Sequence, residues 1–275
     1  MTPRAKKHKR RIGERDLWDV IVNNDDICFT HILPRLNPTD VKFLFEVNSE
    51  TRALIKRSSR KHELKRKFQV CLMSSISTLE IAWENQSFWK NWWDKYKIFC
   101  SQVARTNKLE LLKWAREEKK CEWDERTMRK AAEQGNLEML KYCVANECFM
   151  DVTPCEYAAQ NGHLECLKYL HQEAKAPWDH QTATNAAFNG HLHILEYLVE
   201  RKYKKYYKEA CACAAVCGHL DCLKFLHEVA KAPWGMSALR DAHEYNQPEC
   251  VKYLLDNNCP LPTGWRREGG MVYPK

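Results

Sequence analysis

The sequence lacks a long apolar run. No stretch of its 275 residues approaches the about 18 apolar residues that a membrane-spanning helix needs. The charged fraction is 29% and the mean hydropathy is -0.63. No apolar segment follows the basic residues 1–11, as it would in a secretory signal peptide. We therefore expect an intracellular protein of the cytoplasm or nucleus, without a membrane span.

The sequence also lacks the short motifs of common catalytic sites. It contains no nucleotide-binding loop, nucleophile elbow or zinc-protease motif. These absences predict a protein that is not an enzyme and that uses no cofactor.

Cysteine is abundant, but its spacing is not that of a metal or disulfide site. Fourteen cysteines are present, and no two are spaced as Cys-x-x-Cys. Cys213, Cys217 and His219 come nearest to a metal site, but zinc takes four ligands. We therefore predict reduced, mostly buried thiols that fill the core, and no metal site.

The net charge of +8 is confined to the first quarter of the chain. Residues 1–67 hold 17 Lys and Arg against 9 Asp and Glu, whereas the remaining 208 residues hold 27 of each kind. Within residues 1–15, predicted to be a disordered tail, the basic residues 4–11 fit either a nuclear import signal or nonspecific contact with nucleic acid. The basic run at residues 56–67 is typical of a solvated helix face. Because the second half is neutral, a surface that tracks phosphates along it is not expected.

One pattern recurs through the second half of the chain. It consists of an Ala-Ala pair, a glycine three residues later, and leucines two and five residues after the glycine. A Gly or Asn suits the left-handed residue that ends a helix, and the small pair lets two helices approach closely. Each repeat is therefore predicted to be a helix pair that buries its apolar face by stacking on its neighbours. The Gly or Asn positions, spaced by 27 or 28 residues, are Asn107, Gly135, Gly162, Gly190, Gly218 and Asn246.

Residues 153–163 carry a recognisable signature. They read Thr-Pro-Cys-Glu-Tyr-Ala-Ala-Gln-Asn-Gly-His, which resembles the Thr-Pro-Leu-His-x-Ala-Ala-x-x-Gly-His signature of ankyrin repeats. The resemblance covers about residues 96–261 and implies an all-α, ankyrin-type helical-repeat solenoid. A helical region over residues 16–95 would precede the solenoid, and a tail over residues 262–275 would follow it. Because ankyrin repeats usually run about 33 residues, the shorter period predicts that the β-hairpin fingers of that family are shortened or absent.

The resemblance also implies where a partner binds. In ankyrin repeats the two residues before the glycine face the concave groove. We therefore expect a monomeric protein-protein interaction adaptor that binds an unknown protein on this face. Carried over position by position, the partner-binding residues are Glu133, Gln134, Gln160, Asn161, Phe188, Asn189, Val216, Glu244 and Tyr245.

Residues 25–57 resemble an F-box, a short helical motif that docks onto the linker subunit of cullin-type ubiquitin ligases. Residues 37–40, Asn-Pro-Thr-Asp, are typical of a helix start, and spaced apolar residues follow them. The usual opening Leu-Pro is replaced by Asp25 and Asp26. The resemblance implies a substrate-recognition subunit; the alternative is a helical cap that covers the first repeat. The docking residues that it implies are Ile32, Leu36, Leu44 and Val47.

Residues 201–208 leave a second function open. They combine five basic and three aromatic side chains, which suits contact with single-stranded nucleic acid. The alternative function is a nuclear, nucleic-acid-associated protein that uses this loop and the basic N-terminus. The competing interpretation is an exposed loop in which Tyr206 packs where other repeats place a tryptophan.

Two further rows recur at the repeat spacing. The histidines of one row are predicted to form a ladder, because stacked helices lie about 8–10 Å apart and zinc ligands must lie at about 2 Å. The large side chains of the other row are predicted to pack between repeats. The rows are His163, His191 and His219, and Trp123, Met150, Trp178, Tyr206 and Trp234.

Overall fold

The computed structural model describes residues 28–36, 40, 41, 44, 49–65, 69–84, 95–203, 206, 208–268 and 271–273. The chain divides into two compact units, residues 1–90 and residues 91–275. The predicted tail and import signal lie outside the described residues.

The first unit consists of short helical segments. A π-helical turn at Cys28–Ile32 and 3-10 turns at Leu33–Arg35, Ser59–Lys65 and Val70–Leu72 accompany the helices α1 (Ser49–Arg57) and α2 (Ile76–Glu84). The apolar side chains meet in one cluster, with three buried members and three partly buried ones packed against them. The cluster consists of Leu33, Val41 and Ile55, with Phe29, Leu36 and Leu44 around them.

The second unit is a stack of helix pairs, each formed by an inner and an outer helix. Among the described residues the inner helices are α3 (Lys95–Ala104), α5 (Glu125–Glu133), α7 (Thr153–Gln160), α9 (His180–Phe188), α11 (Lys208–Val216) and α13 (Met236–Glu244). The outer helices are α4 (Leu109–Glu117), α6 (Leu137–Ala145), α8 (Leu164–Gln172), α10 (Leu192–Glu200), α12 (Leu220–Glu228) and α14 (Pro248–Asp256). The predicted stacking of helix pairs is confirmed.

The inner helices pack more closely against one another than the outer helices do. The alanine pairs explain this difference, because both members, such as Ala186 and Ala187, are fully buried and add little bulk between neighbouring helices. In stacked repeats a small rotation between successive units produces curvature and an extended concave surface, and we expect the closely packed inner helices to line it.

The outer helices supply most of the large core residues. Leu167, Leu195 and Leu223 occupy the same position in successive repeats, and all three are fully buried. Each such leucine contributes about 1.5–3 kcal/mol on removal from water. Since no helix pair could bury these side chains alone, the repeats depend on their neighbours for stability.

The connections between helix pairs contain no strand in the residues that the structure describes. The shortened repeat therefore lacks the hairpin fingers there, as its length predicts. The longest described helix has 10 residues, and none of the described helices could cross a membrane.

A small β-hairpin follows the last helix pair and was not expected from the sequence. Strands β1 (Arg266–Glu268) and β2 (Met271–Tyr273) are antiparallel, and Arg267 pairs with Val272. The Arg267 guanidinium donates to the carbonyl of Leu255 at 2.9 Å and so ties the hairpin to the end of α14. The predicted C-terminal tail is therefore partly an ordered end cap, and the fold is mostly rather than wholly helical.

Candidate functional site

Each inner helix ends in a residue with left-handed backbone. Gly135, Gly162, Gly190 and Gly218 have φ between +69° and +74°. Asn107 and Asn246 take the same conformation, with φ of 60° and 54°. These residues turn the chain from inner to outer helix, and the two residues before each of them lie at the C-terminal end of the inner helix.

A histidine from the next repeat covers each of the first three glycines. A Cβ atom added to Gly162 would lie 2.8 Å from Nδ1 of His191, and one added to Gly135 would lie 2.6 Å from the His163 ring. Such separations are shorter than van der Waals contact. Glycine is therefore required there for its backbone conformation and for the space that the imidazole occupies.

The covering side chains also hold the backbone beneath the predicted binding residues. Nε2 of His163 donates to the carbonyl of Glu133 at 3.1 Å, and Nε2 of His191 donates to that of Gln160 at 3.0 Å. Gln247 replaces histidine in the last repeat, and its amide donates to the carbonyl of Val216 at 3.3 Å. The predicted histidine ladder is confirmed, and it is a row of hydrogen bonds between repeats.

The side chains predicted to bind a partner, two before the left-handed residue of each repeat, differ in their exposure to solvent. Phe188 is 48% exposed and Tyr245 is 65% exposed. Met236, at the start of α13, is also 48% exposed, whereas Met128 and Leu239 are buried. The half-buried members are Glu133, Gln134 and Val216. The exposed polar members are Gln160, Asn161, Asn189 and Glu244.

Two asparagines of this row are held in place by their own helices. Asn161 donates from Nδ2 to the carbonyl of Tyr157 at 3.0 Å, and Asn189 does the same to Asn185 at 3.0 Å. Each amide keeps its oxygen and one N–H for another partner. The sequence analysis missed this arrangement, although the recurrence of Asn before glycine was visible in it.

Charged side chains form ion pairs near the ends of two inner helices, α5 and α13. Lys130 and Glu133 pair with each other on α5, and Arg240 pairs with Asp241 at 3.0 Å on α13. Glu244 forms no ion pair within the described part of the chain. Between these ends, the residues that precede the glycines on α7, α9 and α11 carry no charge.

The aromatic row packs between repeats, as predicted. The Trp178 ring stacks on His171 of the preceding outer helix, with centroids 3.6 Å apart, and meets the Tyr197 ring of the next one edge-on at 6.4 Å. Trp234 repeats this contact with His227 at 3.7 Å. These side chains therefore join successive outer helices and do not form a binding strip.

The described tyrosines of the 201–208 loop pack against other residues of the chain. Tyr203 is buried, donates its hydroxyl hydrogen to the carbonyl of Asp179 and meets the Trp178 ring at 5.4 Å. Tyr206 packs edge-on against Tyr203 at 5.0 Å. Lys204, Lys205 and Tyr207 lie outside the described residues.

All fourteen cysteines are free thiols, and eleven of them are buried. Burial raises the pKa of Cys155 to about 12 and that of Cys166 to about 11. Both stay protonated at neutral pH and are poor nucleophiles. Among the described residues, no group of three or more His, Cys, Asp and Glu side chains could hold a metal ion.

Two of the F-box-like residues pack against the core cluster of the first unit. Leu36 and Leu44 are partly buried and pack against that cluster, and Ile32 is half-buried. Val47 lies outside the described residues.

Arg60 corrects the interpretation of residues 56–67 as a wholly solvated face. Its guanidinium donates to the carbonyls of Leu33 and Leu36, the latter at 2.7 Å. It also pairs with the carboxylate of Glu63 at 2.6 Å, and Glu63 is 8% exposed. This basic side chain therefore holds the 33–36 turn against the segment that follows α1.

The stacked helix pairs and their glycine-ended inner helices define a helical-repeat protein. Comparison with known protein families identifies the kind of repeat. The family profile of ankyrin repeats (many copies) matches residues 128–171 and 155–199, and that of ankyrin repeats (3 copies) matches residues 183–262. Residues 128–262 are therefore ankyrin repeats. No curated protein matches the chain.

Proposed function

We propose that this chain is a protein-interaction adaptor that binds its partner on the concave face formed by the inner helices. Ankyrin repeats are typically binding scaffolds, so the repeats at residues 128–262 imply protein-protein interaction. The observation that supports this particular face is the exposure of Phe188 and Tyr245 at the ends of α9 and α13. Exposed aromatic side chains of this kind are typical anchors of protein interfaces.

The backbone under the face supports the proposal as well. The carbonyls of Glu133, Gln160 and Val216 are each bonded by a side chain from the next repeat. A surface held in this way loses little conformational entropy on binding, which favours affinity.

Replacement of the two aromatic anchors tests the proposed face. Partners are first identified by affinity purification of the full chain and mass spectrometry, and their dissociation constants are then measured. Phe188→Ala and Tyr245→Ala should each weaken binding about tenfold or more, because each removes a side chain that becomes buried in the complex. Neither change should shift the thermal melt by more than a few degrees, because both side chains are exposed in the free protein.

Val229 provides the control for this experiment. It is 53% exposed and follows the outer helix α12, away from the inner-helix row. Val229→Ala should leave affinity unchanged. Equal losses from Val229→Ala and Phe188→Ala, or full binding by the double variant Phe188→Ala/Tyr245→Ala, would contradict the proposed face.

For the first unit we propose the finer role of docking a cullin-type ligase linker subunit. In support, Leu36 and Leu44 are only partly buried against the core cluster of this unit, so each keeps part of its side chain accessible. Ile32 keeps part of its side chain free for docking.

Co-expression tests this finer role. The full chain and a linker subunit should co-elute on size exclusion, and Ile32→Glu should abolish the complex by placing a charge in an apolar contact. Ile76→Glu changes an exposed isoleucine of the same unit and should leave the complex intact. Absence of co-elution with the unaltered chain rejects the ligase role but not the binding face of the repeats.

A further inference from the structure

Two cysteines of the inner helix α11 are not explained by packing of the core. Eleven of the fourteen cysteines are buried, whereas Cys71, Cys213 and Cys217 are only half-buried. Buried cysteines of the repeats alternate with apolar residues at the same repeat position, as Cys222 does with Ile194. Cys213 and Cys217 have no such role in filling the core, so the reason for two thiols here must be sought elsewhere.

The other repeats carry polar or aromatic side chains at the same two positions, which lie five residues and one residue before the left-handed residue. The residues in the place of Cys213 are Gln102, Lys130, Tyr157, Asn185 and Asp241, and those in the place of Cys217 are Thr106, Gln134, Asn161, Asn189 and Tyr245. None of these ten side chains is buried. The fold therefore leaves both positions accessible to solvent, and the two thiols can be reached by a small ligand.

The two thiols lie one helical turn apart. The amide of Cys217 donates to the carbonyl of Cys213 at 3.3 Å, which is the bond between residues four apart in an α-helix. In the preceding repeat the equivalent side chain reaches back over this same turn, because Nδ2 of Asn189 donates to the carbonyl of Asn185 at 3.0 Å. Residues with this spacing have Cβ atoms about 5–6 Å apart. Both sulfur atoms can therefore approach one atom held between them.

This spacing favours a single bridging ion over a disulfide. A disulfide requires Cβ atoms about 3.5–4.5 Å apart, so α11 would have to unwind to form one. Two metal–thiolate bonds of about 2.3 Å, the length found for zinc, hold their sulfur atoms up to about 4.6 Å apart. Side chains whose Cβ atoms lie about 5–6 Å apart can meet that separation while the helix keeps its conformation.

The number of ligands restricts the kind of ion. Among the described residues, no group of three or more His, Cys, Asp and Glu side chains could hold a metal ion. Asp241, at the equivalent position of the next repeat, already pairs with Arg240 at 3.0 Å. Zinc takes four ligands, and calcium and magnesium take oxygen ligands. Cu(I) prefers thiolate sulfur and is stable with two such ligands in a line.

We propose that Cys213 and Cys217 form a two-coordinate site for Cu(I) on α11. Each sulfur atom binds the ion as its proton passes to solvent, so the bound group carries one negative charge and no electron is transferred. This inference goes beyond the proposed function and does not depend on it, because it uses the two thiols and not the aromatic side chains of the face.

Competition for copper tests the site. The reduced full chain is titrated, under ascorbate and without oxygen, into the coloured complex of Cu(I) with bicinchoninic acid, and the loss of colour measures the copper that the protein takes. Cys213→Ser and Cys217→Ser should each weaken uptake at least about 100-fold, because even outer-shell partners of a metal contribute 10–100-fold. Cys71→Ser removes the other half-buried thiol and should leave uptake unchanged.

A second measurement uses the unaltered chain and so does not depend on how well a variant folds. Iodoacetamide alkylates accessible thiols, and mass spectrometry shows which ones have reacted. Cu(I) should slow alkylation of Cys213 and Cys217 at least about tenfold, because a sulfur atom bound to the ion is no longer a free nucleophile. Alkylation of Cys71 should keep its rate, and the helical circular dichroism signal should not change when copper binds.

Four results would overturn the inference. They are copper uptake by Cys213→Ser/Cys217→Ser as tight as by the unaltered chain, no protection of either thiol from alkylation, displacement of the copper by an equal concentration of Zn(II), and loss of helical signal on copper binding. None of these results bears on the partner-binding face, which has its own test in Phe188→Ala and Tyr245→Ala.

Discussion

The glycine that ends each inner helix is used in two ways at once. At Gly162 a φ of +73° gives the left-handed turn, and the missing side chain leaves room for the His191 ring. The same ring then bonds the carbonyl of Gln160 at 3.0 Å. One residue thus joins the end of a helix to the packing of the next repeat.

Alanine at Gly162 should be costly for both reasons. The left-handed backbone disfavours a Cβ by about 1–2 kcal/mol, and displacement of the imidazole adds about 1–3 kcal/mol of the kind seen when cores are overpacked. We expect Gly162→Ala to lower the free energy of unfolding by about 3 kcal/mol, measured by urea denaturation.

Gly264 separates the two contributions. Its φ is +82°, but an added Cβ would meet no atom within 4 Å. Gly264→Ala should therefore show only the backbone cost of about 1–2 kcal/mol. Equal losses at the two positions would mean that the histidine moves aside freely.

At the scale of elements, a side chain can hold two segments that share no hydrogen-bonded backbone. Arg60 reaches from the turn after α1 to the carbonyls of Leu33 and Leu36, and it pairs with Glu63. The apolar side chains on the two sides, Leu33 and Ile55, are buried against each other. The charged contact and the apolar contact therefore fix the same pair of elements.

Removal of this arginine should loosen the first unit. Arg60→Ala leaves the nearly buried carboxylate of Glu63 without its partner, and such a loss costs about 3 kcal/mol. We expect amide hydrogens of α1 to exchange faster, while those of α7 and α9 keep their rates. The double variant Arg60→Ala/Glu63→Gln should recover part of the protection; no recovery would show that the lost bonds to the carbonyls matter more.

At the scale of the whole molecule, the histidines between repeats link stability to pH. Burial lowers the pKa of His171 and of His191 below the ordinary value of 6.5, and the positive side chain of Arg201 adds to the effect at His171. The unfolded chain therefore takes up protons at a higher pH than the folded chain. Stability from these residues is full above about pH 6.5 and is lost as the pH falls below it.

The last repeat suggests the variant that tests this dependence. Gln247 stands where His191 stands two repeats earlier, and its amide makes the equivalent bond to a carbonyl, that of Val216. His191→Gln should keep the bond and remove one titrating group. The urea midpoint should then fall less between pH 7.5 and pH 5.5 than it does in the unaltered chain; an identical fall would exclude His191 as a source of the pH dependence.

Much of the repeat architecture could be read from the spacing of a few residue types. The positions of Gly135, Gly162, Gly190 and Gly218 predicted where inner helices end, because few other residues adopt that backbone. The histidine ladder and the packing role of Trp178 were predicted because histidine and large side chains recur at the same interval as the glycines. Such features repeat in the sequence because each copy meets the same surroundings in its neighbours.

Features that occur once were harder to predict. The hairpin at β1 and β2 and the contacts of Arg60 have no second copy, and each depends on segments that are distant in sequence. For the same reason, the basic run at residues 56–67 was interpreted as a solvated face, because sequence alone cannot show which carbonyls its side chains reach.

For the candidate binding face, too, some features could be predicted from the sequence and others only from the structure. The sequence alone determined the repeat and its period, since glycine, alanine and leucine at fixed intervals can satisfy backbone and core in one kind of helix pair. Only the tertiary structure decided which of the predicted binding side chains are exposed to solvent. Phe188 and Tyr245 stay exposed while Val216 is half-buried, because the exposure of each depends on the side chains that the two adjacent repeats place beside it.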